Sequence, residues 1–179
     1  MTLIGISGRK RSGKDTFAAR LTGVHGYTRV AFADPLRAMA LALDPLVRTT
    51  SGHTVRLAEL AAFEGWERAK NHAEVRRTLQ RLGTEAGRAV LGDTIWIDTA
   101  MQHVDQVNGP VVITDVRYPN EADAIRAAGG IVLRIDRPGL TSSDVHPSET
   151  AMDDYPHFTA RIVNDRSIAA LQRTADRFV

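Results

Sequence analysis

Between Gly8 and Thr16 the chain reads Gly-Arg-Lys-Arg-Ser-Gly-Lys-Asp-Thr, an order of residue types suited to holding phosphate. Gly8, Gly13 and Lys14 fit the spacing G-x-x-x-x-G-K, in which glycines let backbone N–H groups curl around an anion and the lysine reaches its outer phosphates. Where such a loop opens a helix, the helix N-terminus adds about half a positive charge. Gly8, Arg11, Ser12, Gly13, Lys14, Asp15 and Thr16 are therefore candidate ligands of a triphosphate. Arg9, Lys10 and Lys14 bring more positive charge than docking alone needs. Phosphoryl transfer between two anions must suppress their repulsion and stabilise spread charge, so these cations, with Asp15, are read as catalytic. The pattern departs from its usual form at Asp15, which stands where a Ser or Thr commonly serves Mg²⁺. A carboxylate can do the same work directly or through water, because Mg²⁺ prefers oxygen ligands.

A second set of polar residues falls where apolar runs end. Asp115 closes the β-branched run Val111–Thr114, a usual place for a magnesium or water ligand beside a phosphate loop; a helix or turn cap is the alternative. Arg117 follows at the same mouth and can fork a phosphate with two parallel hydrogen bonds, unless it pairs with Glu121 at the surface. Arg81 and Arg88 are seven residues apart and share a face if their helix is unbroken, with Gly83 and Gly87 allowing close approach of a ligand. A plain charged helix is the other reading. Asp34 and Arg37 follow the second apolar run and could face an acceptor, although Asp34 also reads as a helix N-cap before Pro35. Arg137 and the pair Asn164 and Asp165, further candidates for binding, follow two later runs.

These positions need elements to hold them. Leu3–Ser7, Tyr27–Phe32, Val111–Asp115, Ile131–Ile135 and Ala160–Val163 read as buried strands. Between them, Asp15–Leu21, Leu36–Leu43, Asn120–Ala128 and Ile168–Phe178 carry helical patterns. Residues 44–110 read as mostly helical. Such alternation predicts an α/β fold: a parallel sheet with helices on both faces and ligands outside the carboxyl ends of the strands. The expected organisation is one domain. Its core spans 1–43, 110–136 and 157–179, with a helical acceptor-binding insertion over 44–109 and a lid over 137–156. The lid holds Pro138, Pro147 and Pro156, and excursions of that length are usually functional. His146 and Glu149 lie inside it, but a single His with a Glu three residues on is a weak metal pattern.

Composition narrows the classes. Of 179 residues, 43% are apolar and 25% charged, which is ordinary globular usage. The chain has no cysteine, which excludes disulfides, thiolate zinc sites and cysteine nucleophiles. A net charge of +2 is too mild to imply nucleic-acid binding. No apolar run is long enough to span a membrane, and the opening run lacks the features of a signal peptide. The expectation is a cytoplasmic monomer or homodimer with small-molecule partners, contacting neither nucleic acid nor membrane.

Six segments occur in order: Ser7–Thr16, Phe32-Ala-Asp-Pro-Leu36, Leu79-Gln-Arg-Leu-Gly-Thr-Glu85, Asp115-Val-Arg-Tyr-Pro-Asn-Glu121, Arg137-Pro-Gly139 and His146-Pro-Ser-Glu149. Together they resemble the deoxynucleoside monophosphate kinases of bacteriophages, over residues 2 to about 170. The Gly-Lys-Asp variant and the Asp-Val-Arg run are the specific parts. The resemblance implies a P-loop NTPase fold of the nucleoside-monophosphate-kinase kind, with five parallel strands and a mobile lid. It implies transfer of the ATP γ-phosphoryl to a dNMP with Mg²⁺, Arg137 acting at ATP, Asp15 and Asp115 at the metal, and Asp34, Arg37, Arg81, Arg88, Asp115, Arg117 and Glu121 on the acceptor side. Animal-type phosphomevalonate kinases are similar over the same loop, so a different phosphorylated acceptor is one alternative. A P-loop module without catalysis is another. The lid is poor in arginine, Arg137 being the only one between 135 and 160, so Arg137 must do more or Arg9 and Lys10 substitute.

Overall fold

A computed structural model describes residues 2–140 and 150–179. Residues 141–149 of the expected lid lie outside them, and with them His146 and Glu149. The chain divides into two compact units, residues 1–32 with 100–179, and residues 33–99.

The first unit is built on a five-stranded sheet. Its strands are β1 (Leu3–Ser7), β2 (Thr28–Val30), β5 (Val111–Val116), β6 (Ile131–Asp136) and β7 (Ala160–Val163). They lie in the order β2-β5-β1-β6-β7 with every pairing parallel. The central strand β1 is buried along its whole length. Side chains alternate across a strand, so Ile4 and Ile6 enter one core cluster with Phe17 and Leu21 of α1 (Lys14–His25) and Leu171 of the closing helix α8 (Ile168–Ala175). Gly5 faces the other way, where a Cβ would strike the Ile125 side chain of α7 (Pro119–Ala127). Only glycine lets α7 sit that close. Helices thus cover both faces, as the alternation predicts.

Several element boundaries differ from expectation, two of them by shortening. The second strand is only three residues long. The final helix gives way to a 3₁₀ turn at Asp176–Phe178, shorter than the helix to Phe178 that the sequence suggests. Element ends are where pattern reading is weakest.

The second unit is mostly helical, as expected, but departs from the sequence reading at its start. It holds α2 (Ala33–Leu43), a hairpin of β3 (Leu46–Arg48) and β4 (Thr54–Arg56), α3 (Leu57–Glu64), α4 (Trp66–Ala69), α5 (Ala73–Gln80), a π-helix at Arg81–Leu91 and the start of α6 (Ile95–Gln106). Residues 44–56 are therefore not helical. Pro45 cannot continue α2, Asp44 turns to a positive φ of 43°, and Val47 and Val55 pair across an antiparallel ladder. The Asp44 carboxylate then accepts the Ala58 N–H at 2.9 Å, meeting an open donor of α3. Helix α2 begins at Ala33, which puts Asp34 inside its first turn rather than at the N-cap.

The π-helix has an identifiable cause. The Trp96 indole N–H donates to the Gly83 carbonyl at 2.8 Å, competing with the helix's own donors for that acceptor. A Cβ at Gly87 would fall within the Trp96 ring, and one at Gly83 would press on Leu36. Both glycines are used in packing. The wider i→i+5 winding also puts more residues in each turn. Seven residues then fall short of two turns, so Arg81 and Arg88 do not share the face that an α-helix would give them.

Candidate active site

Gly8 ends β1 with φ 146°, and Gly13 precedes α1 with φ 108°. A Cβ on Gly8 would collide with the Ile135 carbonyl and the Ser12 hydroxyl, so the loop can turn here only on glycine. Between the glycines Arg11 is also left-handed, at φ 66°, a conformation that costs a non-glycine residue about 1–2 kcal/mol. The Ser12 N–H donates to the Arg9 carbonyl at 3.1 Å and closes the curl. Among the described residues no side chain caps the N-terminus of α1, and a helix end of this kind suits an anion.

Lys14 folds back over this loop. Its ammonium donates to the carbonyls of Gly8 at 2.6 Å and Arg9 at 2.8 Å, which holds the charge at the mouth of the curl. Asn164, just beyond β7, donates through Nδ2 to the Ser12 carbonyl at 2.8 Å. One predicted nucleotide residue is therefore built into the loop's support. Asn164 and Asp165 also line a cavity of about 410 Å³ with Arg166, Arg173 and Arg177. Arg137 follows β6 directly and lines a second cavity, of about 190 Å³, with Arg9, Ser12 and Arg134. Asp15 and Lys10 are exposed on the loop, and Thr16 is half-buried.

Asp115 lies on β5, beside β1 in the sheet. Its Oδ1 accepts the Phe32 N–H at 2.8 Å, so it also fixes the chain leaving β2. Glu121 is the acceptor-side candidate that follows Arg117. It is 3% exposed, and its Oε2 accepts the N–H groups of Arg117 at 2.7 Å and Tyr118 at 3.1 Å. Its work is to shape the turn that presents Arg117.

The remaining predicted acceptor residues belong to the second unit. Arg37 pairs with Asp34 at 3.4 Å and lies over the Trp66 ring at 6.0 Å; its buried Nε has no hydrogen-bond partner among the described residues. Arg81 is exposed and pairs with Glu85 at 3.2 Å, and Arg88 is half-buried.

The sequence reading missed Arg134 and Asp153. Arg134 is 4% exposed on β6. Its Nε donates to Asp136 at 2.8 Å and its Nη2 to Asp153 at 2.6 Å, while Asp153 also takes Arg9 Nη2 at 2.6 Å. Burial alone would push the Asp153 carboxyl up, but hydrogen bonds from Arg9 and Arg134 outweigh it and hold the group below the usual carboxylate range. Burial likewise opposes the Arg134 charge, and Asp136 and Asp153 more than compensate. An arginine inside an otherwise apolar strand, Ile131-Val-Leu-Arg-Ile135, was the available signal, since arginine is almost never buried unless paired.

The donor set fits Mg²⁺ in one respect. Among the described residues no three His, Cys, Asp or Glu side chains gather as a protein-only metal cage. At phosphate sites, however, Mg²⁺ takes one or two carboxylates and completes its shell with phosphate and water oxygens. Asp15, at the loop's helix, and Asp115, on the adjacent strand, provide such carboxylates.

A parallel five-stranded sheet whose central strand runs through a glycine-turned loop into an uncapped helix is the P-loop kinase fold. The dephospho-CoA kinase of Campylobacter jejuni has it too, with a TM-score of 0.54 at 16% identity over 99% of this chain and 95% of that one. A protein of Acanthamoeba polyphaga mimivirus provisionally named as a deoxynucleotide monophosphate kinase is 32% identical over 94% of this chain and 91% of its own length. The deoxynucleotide monophosphate kinase of Enterobacteria phage T4 is 33% identical over 44% of this chain and 34% of its own. The family model for deoxynucleotide monophosphate kinase matches residues 63–175. The chain belongs to the deoxynucleotide monophosphate kinase family.

Proposed function

We propose that this protein transfers the γ-phosphoryl group of ATP to a deoxynucleoside monophosphate, giving the diphosphate and ADP. The observation that carries the reading is the loop itself, with Lys14 held at its mouth beside an uncapped helix N-terminus, in a chain of this family. The attacking group is a phosphate oxygen. A phosphate monoester has its second pKa near about 6 and is largely dianionic at neutral pH, so no general base is required. The protein's task is to bring two anions together and to stabilise charge spread over the transferring group.

Lys14 and the loop N–H groups hold the β- and γ-phosphates, and Arg9, Lys10 and Arg137 offset the charge of the group in flight. Asp15 and Asp115 would hold Mg²⁺, which would supply positive charge against that of the phosphates. The cavity beside Asn164 and Asp165 accommodates the nucleoside end of ATP. Arg117 meets the acceptor phosphate, and Asp34, Arg37, Arg81 and Arg88 are the further residues we assign to the acceptor.

Family membership favours this acceptor over phosphomevalonate, and the loop's surplus cations favour turnover over passive binding. An ADP-release assay with each of the four dNMPs, and with phosphomevalonate as control, tests the reading. Turnover with at least one dNMP and none with phosphomevalonate is expected. Release with phosphomevalonate alone would move the protein to another acceptor, and tight ATP binding without turnover would make it a binding module.

A further inference from the structure

The smaller cavity beside the phosphate loop is lined by Arg9, Ser12, Arg134 and Arg137. The Ser12 hydroxyl there is buried, at 1% residue exposure, and has no hydrogen-bond partner among the described residues. A buried polar atom left unpaired costs free energy, and Ser12 is a residue of a pocket lined by three arginines and one carboxylate, Asp136. Two of the pocket's guanidiniums are bridged by one carboxylate, with Asp153 Oδ2 on Arg9 and Oδ1 on Arg134, both at 2.6 Å. Each oxygen of one anionic group meeting its own guanidinium is the arrangement a phosphate also makes.

We propose that this pocket receives a phosphate group of the bound nucleotide, that Arg134 and the Ser12 hydroxyl are among its ligands, and that the Asp153 carboxylate is a placeholder which the phosphate displaces. The inference rests on the nucleotide-binding reading of the loop. Asp136 keeps hold of Arg134 through Nε at 2.8 Å, so the guanidinium stays oriented when Asp153 departs. The backbone of Asp153 is anchored separately, its N–H donating to the Thr150 carbonyl and its carbonyl accepting from Arg161. Rotation of the side chain alone therefore releases the carboxylate. Between an internal carboxylate and a polyphosphate of higher charge, two guanidiniums favour the phosphate.

Calorimetric titration of the full chain with ATP, and separately with inorganic tripolyphosphate, tests this. Asp153→Asn removes a competing anion yet keeps a hydrogen-bond acceptor, so both ligands should bind about fivefold tighter or more, on the scale of one charge-assisted contact. Unchanged or weaker binding would overturn the proposal, because a purely structural ion pair has no reason to oppose the ligand. Should the substitution unfold the chain, the wild type decides. Its Arg134 Nε–H resonance, followed by ¹⁵N side-chain NMR, should move on addition of tripolyphosphate, and an unmoved resonance overturns the proposal. Dependence on the functional reading is separable. Tighter polyphosphate binding by Asp153→Asn without wild-type turnover of any dNMP would remove the kinase assignment and leave the pocket standing. Wild-type dNMP turnover with no tightening would do the reverse.

Discussion

Lys14 donates to two carbonyls of its own loop, and on the proposed function an incoming phosphate would compete with them for the ammonium. Its hydrogen bonds to the Gly8 and Arg9 carbonyls hold the cation at the mouth of the loop. Catalysis then gains a preorganised charge without having to order a long side chain. Lys14→Ala should lower kcat by about a hundredfold or more, the scale for losing one such contact. A variant within about threefold of wild type, a barrier change of less than 1 kcal/mol, would take Lys14 out of the chemistry. Asp15 and Asp115 make a different prediction. If they hold Mg²⁺, Asp15→Asn and Asp115→Asn should each raise the Mg²⁺ concentration giving half-maximal rate. Unchanged magnesium titrations in both variants would remove the metal role. Asn still carries an oxygen for the Phe32 N–H that Asp115 binds, so the second variant separates metal binding from support of β2.

At the scale of elements, the π-helix at Arg81–Leu91 stands out, because its irregular winding is bought by tertiary packing. Gly87 lies under the Trp96 ring and Gly83 gives its carbonyl to the indole N–H. Gly87→Ala must push the ring aside, and overpacking of this kind costs about 1–3 kcal/mol. Chemical denaturation should show that loss. A stability equal to wild type would mean the ring has room to move, and that packing does not set the winding. The phosphate loop is braced in a comparable way by Asn164, which reaches from the end of β7 to the Ser12 carbonyl. A sheet-end residue thereby fixes a turn far away in sequence.

For the whole molecule, Asp176 ties the two ends of the chain together. Its carboxylate accepts from Arg20 at 2.8 Å and meets His25 at 2.7 Å, both on α1. Hydrogen bonds from Arg20 and then His25 hold its carboxyl at about 2, against an ordinary value of 3.8. The unfolded chain therefore binds the extra proton first as pH falls. The tether's contribution is fully present above about pH 4 and is lost as pH drops through about 2. Asp176→Asn should lower the Tm at neutral pH and flatten the fall of Tm between pH 4 and 2. A variant with the wild-type acid profile would show that the tether adds nothing to stability. High salt should weaken the effect only in part, since the pair is half-buried.

How much of this was legible beforehand depends on the range of the interactions involved. The phosphate loop, the parallel strands and the helices beside them are written in local pattern: glycine spacing, β-branched runs and turn residues near one another in sequence. Short-range sterics decide those features, so the loop between Gly8 and Thr16 needed no tertiary information. The hairpin at residues 46–56 was nearly as local, but its strands are three residues each and alternate too briefly to stand out from the helical segments around them. The faces of Arg81 and Arg88 were beyond sequence reading. They depend on how Trp96, several residues further on, lies against Gly83 and Gly87. Glu121 could be placed near Arg117, yet only the fold shows its carboxylate spent on two backbone N–H groups. Asp153 and Arg134 are 19 residues apart, and Asp153 and Arg9 are 144 apart. Nothing in a linear pattern links charges at such separations. Local sterics and periodicity set the elements and the loop, whereas ion pairing between distant residues exists only once the strands have brought them to the same edge of the site.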